Sequence, residues 1–439
     1  MPARPRAPWP LVALFTAGYL AAYLLPTVVG RLSAGLGLSP AQAGAAGSTL
    51  LLCSASAGFT LASRVERHGP RALARLGLLL AIAGYGCAAL AATVPWVVAG
   101  AAVGGFGSGT ATAVAAAGIA AQRDPHRAST LGLLSVSATA GALYLTIPRL
   151  GGGHSLPFAA IALVAALVWP VTGRLEAAAR RPGRAVRAEL PPLPRPRAGL
   201  VLAVAVLCWS LAQNALWGVS GRIGLTQAGL SEVTVGAVFA VALGAGLLGV
   251  LGAGALGARL GRAVPIGAGT AVIAACIALS SSADGLASFA TGEVLWNTFY
   301  PVVLSYVYGL AASLDPRGRW AVLVGSASSL GVACGPLAGS VLSERAGYPG
   351  MGLVLCALLL VIAVPMTAVA LHTSGRPLVP GAIRRRGGAP AAVVAVTAGA
   401  ATGLAPQVGA PEQQVTEVAL PQVVPAARRF RLARPSSRG

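Results

Sequence analysis

Long apolar runs separated by short polar breaks fill the chain from its start to about position 372. Crossing about 30 Å of hydrocarbon as a helix takes roughly 20 apolar residues, at about 1.5 Å per residue. Runs of that length fall at 9–29, 42–62, 72–93, 96–121, 129–147 and 155–172, and again at 199–219, 233–257, 264–282, 286–310, 320–342 and 351–371. The pattern predicts an all-α polytopic membrane protein with 12 transmembrane helices arranged as two pseudo-symmetric six-helix bundles. Between the sixth and seventh runs lies 174–197, RLEAAARRPGRAVRAELPPLPRPR, with seven arginines, two glutamates and five prolines. The chain accordingly divides into an N-terminal six-helix half at 1–173, a basic cytoplasmic linker at 174–198, a C-terminal six-helix half at 199–372 and a tail at 373–439. An apolar piece at 391–404 in the tail is too short to span, so the tail is expected to be disordered and cytoplasmic, its arginines resting on anionic lipid.

Composition agrees. With 56% hydrophobic residues, 10% charged residues and a mean hydropathy of +0.75, the chain lies outside the range of soluble globular proteins, of which about a quarter of residues are charged. A net charge of +21 would suggest nucleic acid on a soluble basic domain, but no such domain is present, so the charge calls for a topological explanation and nucleic acid is not an expected partner. All 32 basic residues are arginine; if the N-terminus is cytoplasmic, 28 of them lie on the cytoplasmic side and only Arg31, Arg149, Arg222 and Arg345 outside. That asymmetry predicts a multi-pass protein of the plasma (inner) membrane with both termini cytoplasmic. The first run has Arg4 and Arg6 ahead of it, as a signal peptide would, but its length predicts an uncleaved helix. Six cysteines stand singly in apolar runs, without a CxxC pair or a histidine at ligand spacing, so neither metal nor cofactor is expected.

An internal repeat links the halves. Arg67-His68-Gly69 matches Arg259-Leu260-Gly261, 192 positions on, and Asp124-Pro125 matches Asp315-Pro316, 191 positions on. Six crossings restore the starting side, so the two halves are expected to run parallel. The first loop reads Ala62-Ser63-Arg64-Val65-Glu66-Arg67-His68-Gly69-Pro70-Arg71 and the second Gly254-Ala255-Leu256-Gly257-Ala258-Arg259-Leu260-Gly261-Arg262. A two-residue turn between helices needs glycine; the arginines beside it stay among cytoplasmic headgroups, and Glu66 can bridge to them or accept from a helix N-terminus. On these residues, over about 9–372, the chain resembles the major facilitator superfamily, whose signature loop is G-x-L-A-D-R-x-G-R-R. The resemblance implies a monomeric secondary transporter that exposes a central cavity alternately to the two sides. It also implies that Glu66, Arg67, Gly69, Arg71, Arg259, Gly261 and Arg262 form cytoplasmic loops that latch the halves, and that the first, fourth, seventh and tenth spans line the cavity. Two features depart from the proton-antiporter branch of that family. The G-x-x-x-G-P pattern falls in the eleventh span rather than the fifth, and the fourth span has no charge.

Candidate chemistry is sparse. Of 11 acidic residues, Glu293 alone lies deep in a run, about eight residues or roughly 12 Å into the tenth span. An ionised carboxylate there costs at least about 2.5–3.5 kcal/mol, so it is paired, faces water, or is protonated. Asn297 and Tyr300 share its face, and Pro301 frees the carbonyl of Asn297. Such a stripe suits a substrate or proton site; a protonated carboxyl tied to a neighbouring helix is the structural alternative. The seventh span carries Ser210, Gln213, Asn214 and Trp217, with Arg222 near its outer end as either a loop charge or an anion-recognising group. Under the resemblance, Tyr19 and Tyr23 of the first span face Gln213, Trp217, Glu293 and Asn297; an interfacial aromatic belt is the other reading of the tyrosines. Gly331, Gly335 and Gly339, with Pro336, form a small-residue face for close helix packing. The GxGxxG matches at 244–249 and 252–257 lie inside an apolar helix without a preceding strand and imply no nucleotide. No second deep carboxylate, HExxH or Ser/His pair accompanies Glu293, so the chain is not expected to be an enzyme. The expected function is a secondary active transporter moving a small solute, with efflux coupled to protons through Glu293. The alternatives are a facilitator or proton-coupled importer and, from another class, a transport-inactive sensor or polytopic membrane enzyme.

Overall fold

The computed structural model describes residues 8–61, 65–122, 124–151, 153–175, 192–257, 260–315 and 317–374. Among these residues the regular structure is entirely helical. The helices are α1 (Trp9–Tyr23), α2 (Leu25–Leu36), α3 (Pro40–Leu61), α4 (Val65–His68), α5 (Pro70–Leu90), α6 (Val94–Ala120), α7 (Pro125–Leu150), α8 (Ser155–Val168), α9 (Pro196–Arg222), α10 (Glu232–Leu256), α11 (Ala263–Ser281), α12 (Leu286–Leu314) and α13 (Arg319–Ser374). A 3-10 segment, Trp169–Arg174, extends α8, and a π-helical turn, Ile223–Gln227, extends α9. Nine of the described helices are long and apolar enough to cross a membrane, ten when α1 and α2 are counted as one bent span. The chain is therefore an all-helical multi-pass membrane protein. Helix α12 is outside that set, because Glu293, Asn297, Thr298 and Ser305 dilute its apolar character.

One break departs from the expected runs, and another falls between the runs expected at 320–342 and 351–371. The first run, predicted as one helix over 9–29, is two helices meeting at Leu24 with a 46° bend. Pro26 is the physical reason, since it supplies no N–H to the carbonyl of Ala22 one turn earlier. The second lies within α13, where Gly347 takes φ 68° and ψ 171°, a conformation that favours glycine, with Pro349 close behind. The predicted linker is shorter at its end, because α9 already begins at Pro196; residues 176–191 and 375–439, and with them most of the linker and the tail, lie outside the described residues.

Helix packing is close wherever glycine lines the contact. A methyl group on Gly331 or Gly339 would strike the carbonyl oxygens of Leu207 or Ala215, and one on Gly335 would strike Asn214, so α13 lies directly on α9. Pro336 fits against Gly218 of the same neighbour. Helices α1, α3, α5, α6, α7 and α8 form one connected set of contacts, and α9 to α13 another. They meet through α3 with α13, α7 with α10, and α2 with α9.

The repeated loops differ from the short turns expected of them. The first contains the helical turn α4, and its Gly69 has φ 85°; in the second, Gly257 and Gly261 have φ 49° and 66°. The glycine requirement is met at Gly69 and Gly261, whereas the two-residue turn is not formed. Arg71 donates to the carbonyls of Gly173 and Leu175, at 2.8 Å from Nη2 to Leu175, and thereby caps the end of the 3-10 segment. The side chains of Glu66 and Arg67, and all of Arg259, lie outside the described residues; Arg262 precedes α11.

Candidate functional site

At the break between α1 and α2, aromatic side chains donate to two backbone carbonyls. Trp217 of α9 donates its indole N–H to Ala22 at 3.2 Å, and Tyr144 of α7 donates its hydroxyl to Tyr23 at 2.6 Å. Both groups are buried. The end of the molecule carrying the α2–α3 and α9–α10 connections, here the distal end, is joined by further contacts. The backbone N–H of Leu337 donates to Ser48 Oγ at 3.0 Å, and that of Ala41 to Glu344 at 3.2 Å. Gly221 lies against the carbonyl of Pro26, and Gly44 against Ser340 and Pro336. Arg31 completes the closure. It donates Nε and Nη2 to the two carboxylate oxygens of Glu232 at 2.9 and 3.1 Å, and it also serves the carbonyls of Gly151 (2.7 Å) and Ile147 (3.2 Å). Expected as an outer-loop charge, Arg31 is a buried helical residue that ties α2 to α7 and α10.

Below this closure lies a narrow cleft lined by Tyr23, Leu133, Ser137, Leu243, Gly246, Leu247, Val250, Asn297 and Tyr300. These residues come from α1, α7, α10 and α12, so of the four spans expected to line a cavity only the first and tenth do so here. The glycine face of α10 permits this. Gly246 approaches the carbonyl of Asn297, a methyl there coming within 3.3 Å, and Gly249 fits tightly against the Thr298 carbonyl and Pro301. Pro301 gives the Asn297 carbonyl no helical donor, and that carbonyl lies at the α10 contact.

The sequence-predicted residues separate into groups. Tyr23, Asn297 and Tyr300 line the cleft. Tyr19 and Tyr23 are 1% and 2% exposed, which removes the reading as an interfacial belt; Tyr19 stacks on Phe15 at 4.3 Å. Gln213, Asn214 and Trp217 stand behind the cleft, buried between α9 and its neighbours. Gln213 accepts from the Trp296 indole, Asn214 donates to the Ser210 carbonyl at 2.9 Å, and the Asn214 amide lies against the Tyr300 hydroxyl. Arg222 is neither a loop charge nor a cleft residue. It closes α9 with 9% exposure, donating to the Tyr348 hydroxyl at 3.3 Å from both Nε and Nη2.

Glu293 is fully buried between α9, α11 and α12, outside the cleft lining. Ser220 and Ser280 donate to its Oε1 at 2.8 and 2.7 Å, while Oε2 has no hydrogen-bond partner among the described residues. Tyr144 and Cys276 are titratable neighbours near enough to feel its charge. Its link to the cleft runs through the helix itself, since Asn297 Nδ2 donates to the Glu293 carbonyl at 3.0 Å.

An aromatic cluster connects these groups and was missed in the sequence. Trp209 stacks on Tyr300 at 5.0 Å, Trp296 lies 5.8 Å from Tyr300 and 5.6 Å from Trp217, and Phe239 bridges Trp217, Tyr144 and Phe289. Trp209, Gln213 and Trp217 recur every four residues, as do Trp296 and Tyr300, so one-turn spacing was the available signal.

A multi-pass helical bundle with a cleft between two sets of helices is an architecture of membrane transporters. The profile of the Major Facilitator Superfamily matches residues 11–319, and the chain belongs to that family. Among solved structures, the human organic anion transporter MFSD10 (TETRAN) is 17% identical with a TM-score of 0.59, covering 83% of this chain and 100% of its own. A POT family transporter in complex with a thioalcohol-conjugated peptide is 11% identical, with a TM-score of 0.69 over 84% of this chain and 97% of its own. A POT family transporter in complex with 5-aminolevulinic acid is 13% identical over the same shares, also at 0.69. These likenesses are of fold. No curated protein matches the chain.

Proposed function

We propose that this chain is a secondary active transporter that exports a small solute from the cell in exchange for protons, with Glu293 carrying the proton. In this reading the chain crosses the plasma membrane twelve times: the bent α1–α2 pair and α12 each count as one span, and the break at Gly347 divides α13 into two. The two sets of helix contacts are the six-span halves, and the excess of arginine at the opposite end from the Arg31 closure makes that closure the extracellular side.

The observation that carries the proton role is a fully buried carboxyl held by two serine hydroxyls, with its second oxygen unpartnered and no arginine paired to it among the described residues. An ionised carboxylate in that place costs several kcal/mol, so the resting group holds a proton, and releasing it requires water or a new partner. Ser220 sits in the last turn of α9, beside the Gly221–Pro26 contact, so admitting water to Glu293 loosens the distal closure.

The test uses inverted vesicles carrying the chain, an imposed pH gradient, and a pH-sensitive dye inside, with candidate solutes added in turn. Solute-dependent proton movement is expected for the wild type and its loss for Glu293→Gln, with solute exchange at equal pH retained. Gradient-driven flux that survives Glu293→Gln refutes the proton role.

A further inference from the structure

We infer that the cleft selects an uncharged, lipophilic solute bearing a hydrogen-bonding group, and rejects carboxylates and organic cations alike. The inference rests on the transporter reading and specifies its cargo. Five of the nine lining residues are leucine, valine or glycine, and the polar remainder are hydroxyls and one amide: Ser137, Tyr23, Tyr300 and Asn297. No arginine, aspartate or glutamate is among them.

The charges nearest in the chain are committed elsewhere. Arg31 is bound by Glu232 and backbone carbonyls at the distal end, Arg222 turns to Tyr348, and Glu293 faces Ser220 and Ser280 between α9, α11 and α12. A carboxylate solute entering the cleft would therefore lose its water without gaining a cation, and an ammonium would do so without gaining an anion. An uncharged ring loses little water, packs on the leucines and the Tyr300 face, and offers its polar group to the amide of Asn297. The amide N–H of Asn297 is engaged by the Glu293 carbonyl, which leaves its oxygen to accept from a solute hydroxyl.

The experiment compares three probes of one shape on the purified full-length protein: 2-naphthylmethanol, 2-naphthoate and 2-naphthylmethyl-trimethylammonium. Binding is read by quenching of tryptophan fluorescence, to which Trp209 against Tyr300 makes the cleft sensitive. The alcohol is expected to bind about tenfold or more tightly than either ion, the discrimination that an uncompensated charge imposes. Asn297→Leu is expected to weaken the alcohol and leave the ions unchanged. Leu247→Arg is expected to reverse the order in favour of naphthoate. Should a variant fail to fold, the three-probe comparison on the wild type decides alone. Binding of either ion as tightly as the alcohol, or binding of none of the three, overturns the inference. Counterflow in proteoliposomes separates the two readings: exchange of an ion in place of the alcohol leaves the transporter and removes this selectivity, whereas alcohol binding without exchange leaves the selectivity and removes the transporter.

Discussion

Replacing Glu232 by glutamine should open the distal side. The carboxylate holds Arg31 through two charge-assisted bonds of 2.9 and 3.1 Å, joining α2 to α10, while the other Arg31 bonds go to carbonyls at the end of α7 and the turn after it. Glu232→Gln removes the charge from the bridging pair and leaves the carbonyl bonds in place. Charge-assisted bonds contribute about 1.5–3 kcal/mol when buried. The Glu232 side chain is 41% exposed against 7% for Arg31, so solvent screening reduces this to about 1–2 kcal/mol. That energy biases the closed arrangement by a factor of about 5–30. Ser48→Cys, placed in a background without the native cysteines, reports the opening, because Ser48 is 3% exposed and accepts from the Leu337 backbone across α3 and α13. Its modification by a membrane-impermeant maleimide should accelerate by about the same factor in Glu232→Gln. Adding Arg31→Gln should give no further acceleration, as expected for two partners of one interaction. High salt should narrow the difference between wild type and variant. Labelling that stays within about twofold of wild type in both single variants would refute the assignment of this pair to the closure.

Other expectations follow from single contacts. Trp217→Phe keeps the ring packing against Trp296 and Phe239 but removes the indole hydrogen bond to the Ala22 carbonyl, so Ser48→Cys labelling should again accelerate, reflecting about 0.5–1.5 kcal/mol. Gly339→Val should lower the melting temperature in detergent, since the side chain meets the Ala215 carbonyl and overpacking typically costs about 1–3 kcal/mol. Asp315 accepts from Arg319 Nε at 2.7 Å and from the backbone of Arg317 and Arg319, and the Arg319 bond, first among these, holds its carboxyl below the usual range. A lowered folded value means that its contribution is complete above about pH 4 and is lost as pH falls through the folded value. Protection from hydrogen exchange at the start of α13, relative to the intrinsic rate at each pH, should therefore be high at neutral pH, fall only in stronger acid, and be low throughout in Asp315→Asn. Once the pH dependence of thiolate formation itself is divided out, Ser48→Cys labelling should still respond to pH in the wild type and no longer respond in Glu293→Gln.

Much of the helix layout was legible because membrane spans are a matter of run length, which needs no knowledge of neighbours. Runs at 42–62 and 264–282 fall within about two residues of α3 and α11. The bend in the first run was equally present in the sequence as Pro26, but its consequence depends on which group takes up the freed carbonyl. That group, Trp217, lies 195 positions away. Helices that are apolar on every side carry no stripe to show which face meets which neighbour, so Gln213 and Glu293 could be ranked by polarity and not placed. Both turned out to face other helices rather than the cleft. Ser220 and Ser280 gave no signal at all, since a serine one hydrogen bond from a carboxyl reads like any other small residue. Arg31 was misjudged for a related reason: charge count assigns a side of the membrane, while burial depends on the carbonyls at 147 and 151 and on Glu232.

The last turns of α9 carry both halves of the proposed mechanism. Trp217 and Gly221 are one turn apart and hold the α1–α2 break, Trp217 by its indole and Gly221 by contact with the Pro26 carbonyl. Ser220, between them, donates to Glu293. Its hydroxyl also lies 3.0 Å from the Leu216 carbonyl and has one proton to give, so it bonds the carboxyl or its own helix, and the state of the carboxyl decides which. A change at Glu293 is thus felt on the helical turn that seals the distal end, without any contact between Glu293 and the cleft. The same helix packs on Gly331, Gly335 and Gly339 of α13, where the lack of side chains brings the two backbones close together. In the proposed mechanism linkage is reciprocal: if proton release at Glu293 favours opening of the distal side, opening favours proton release by the same free energy.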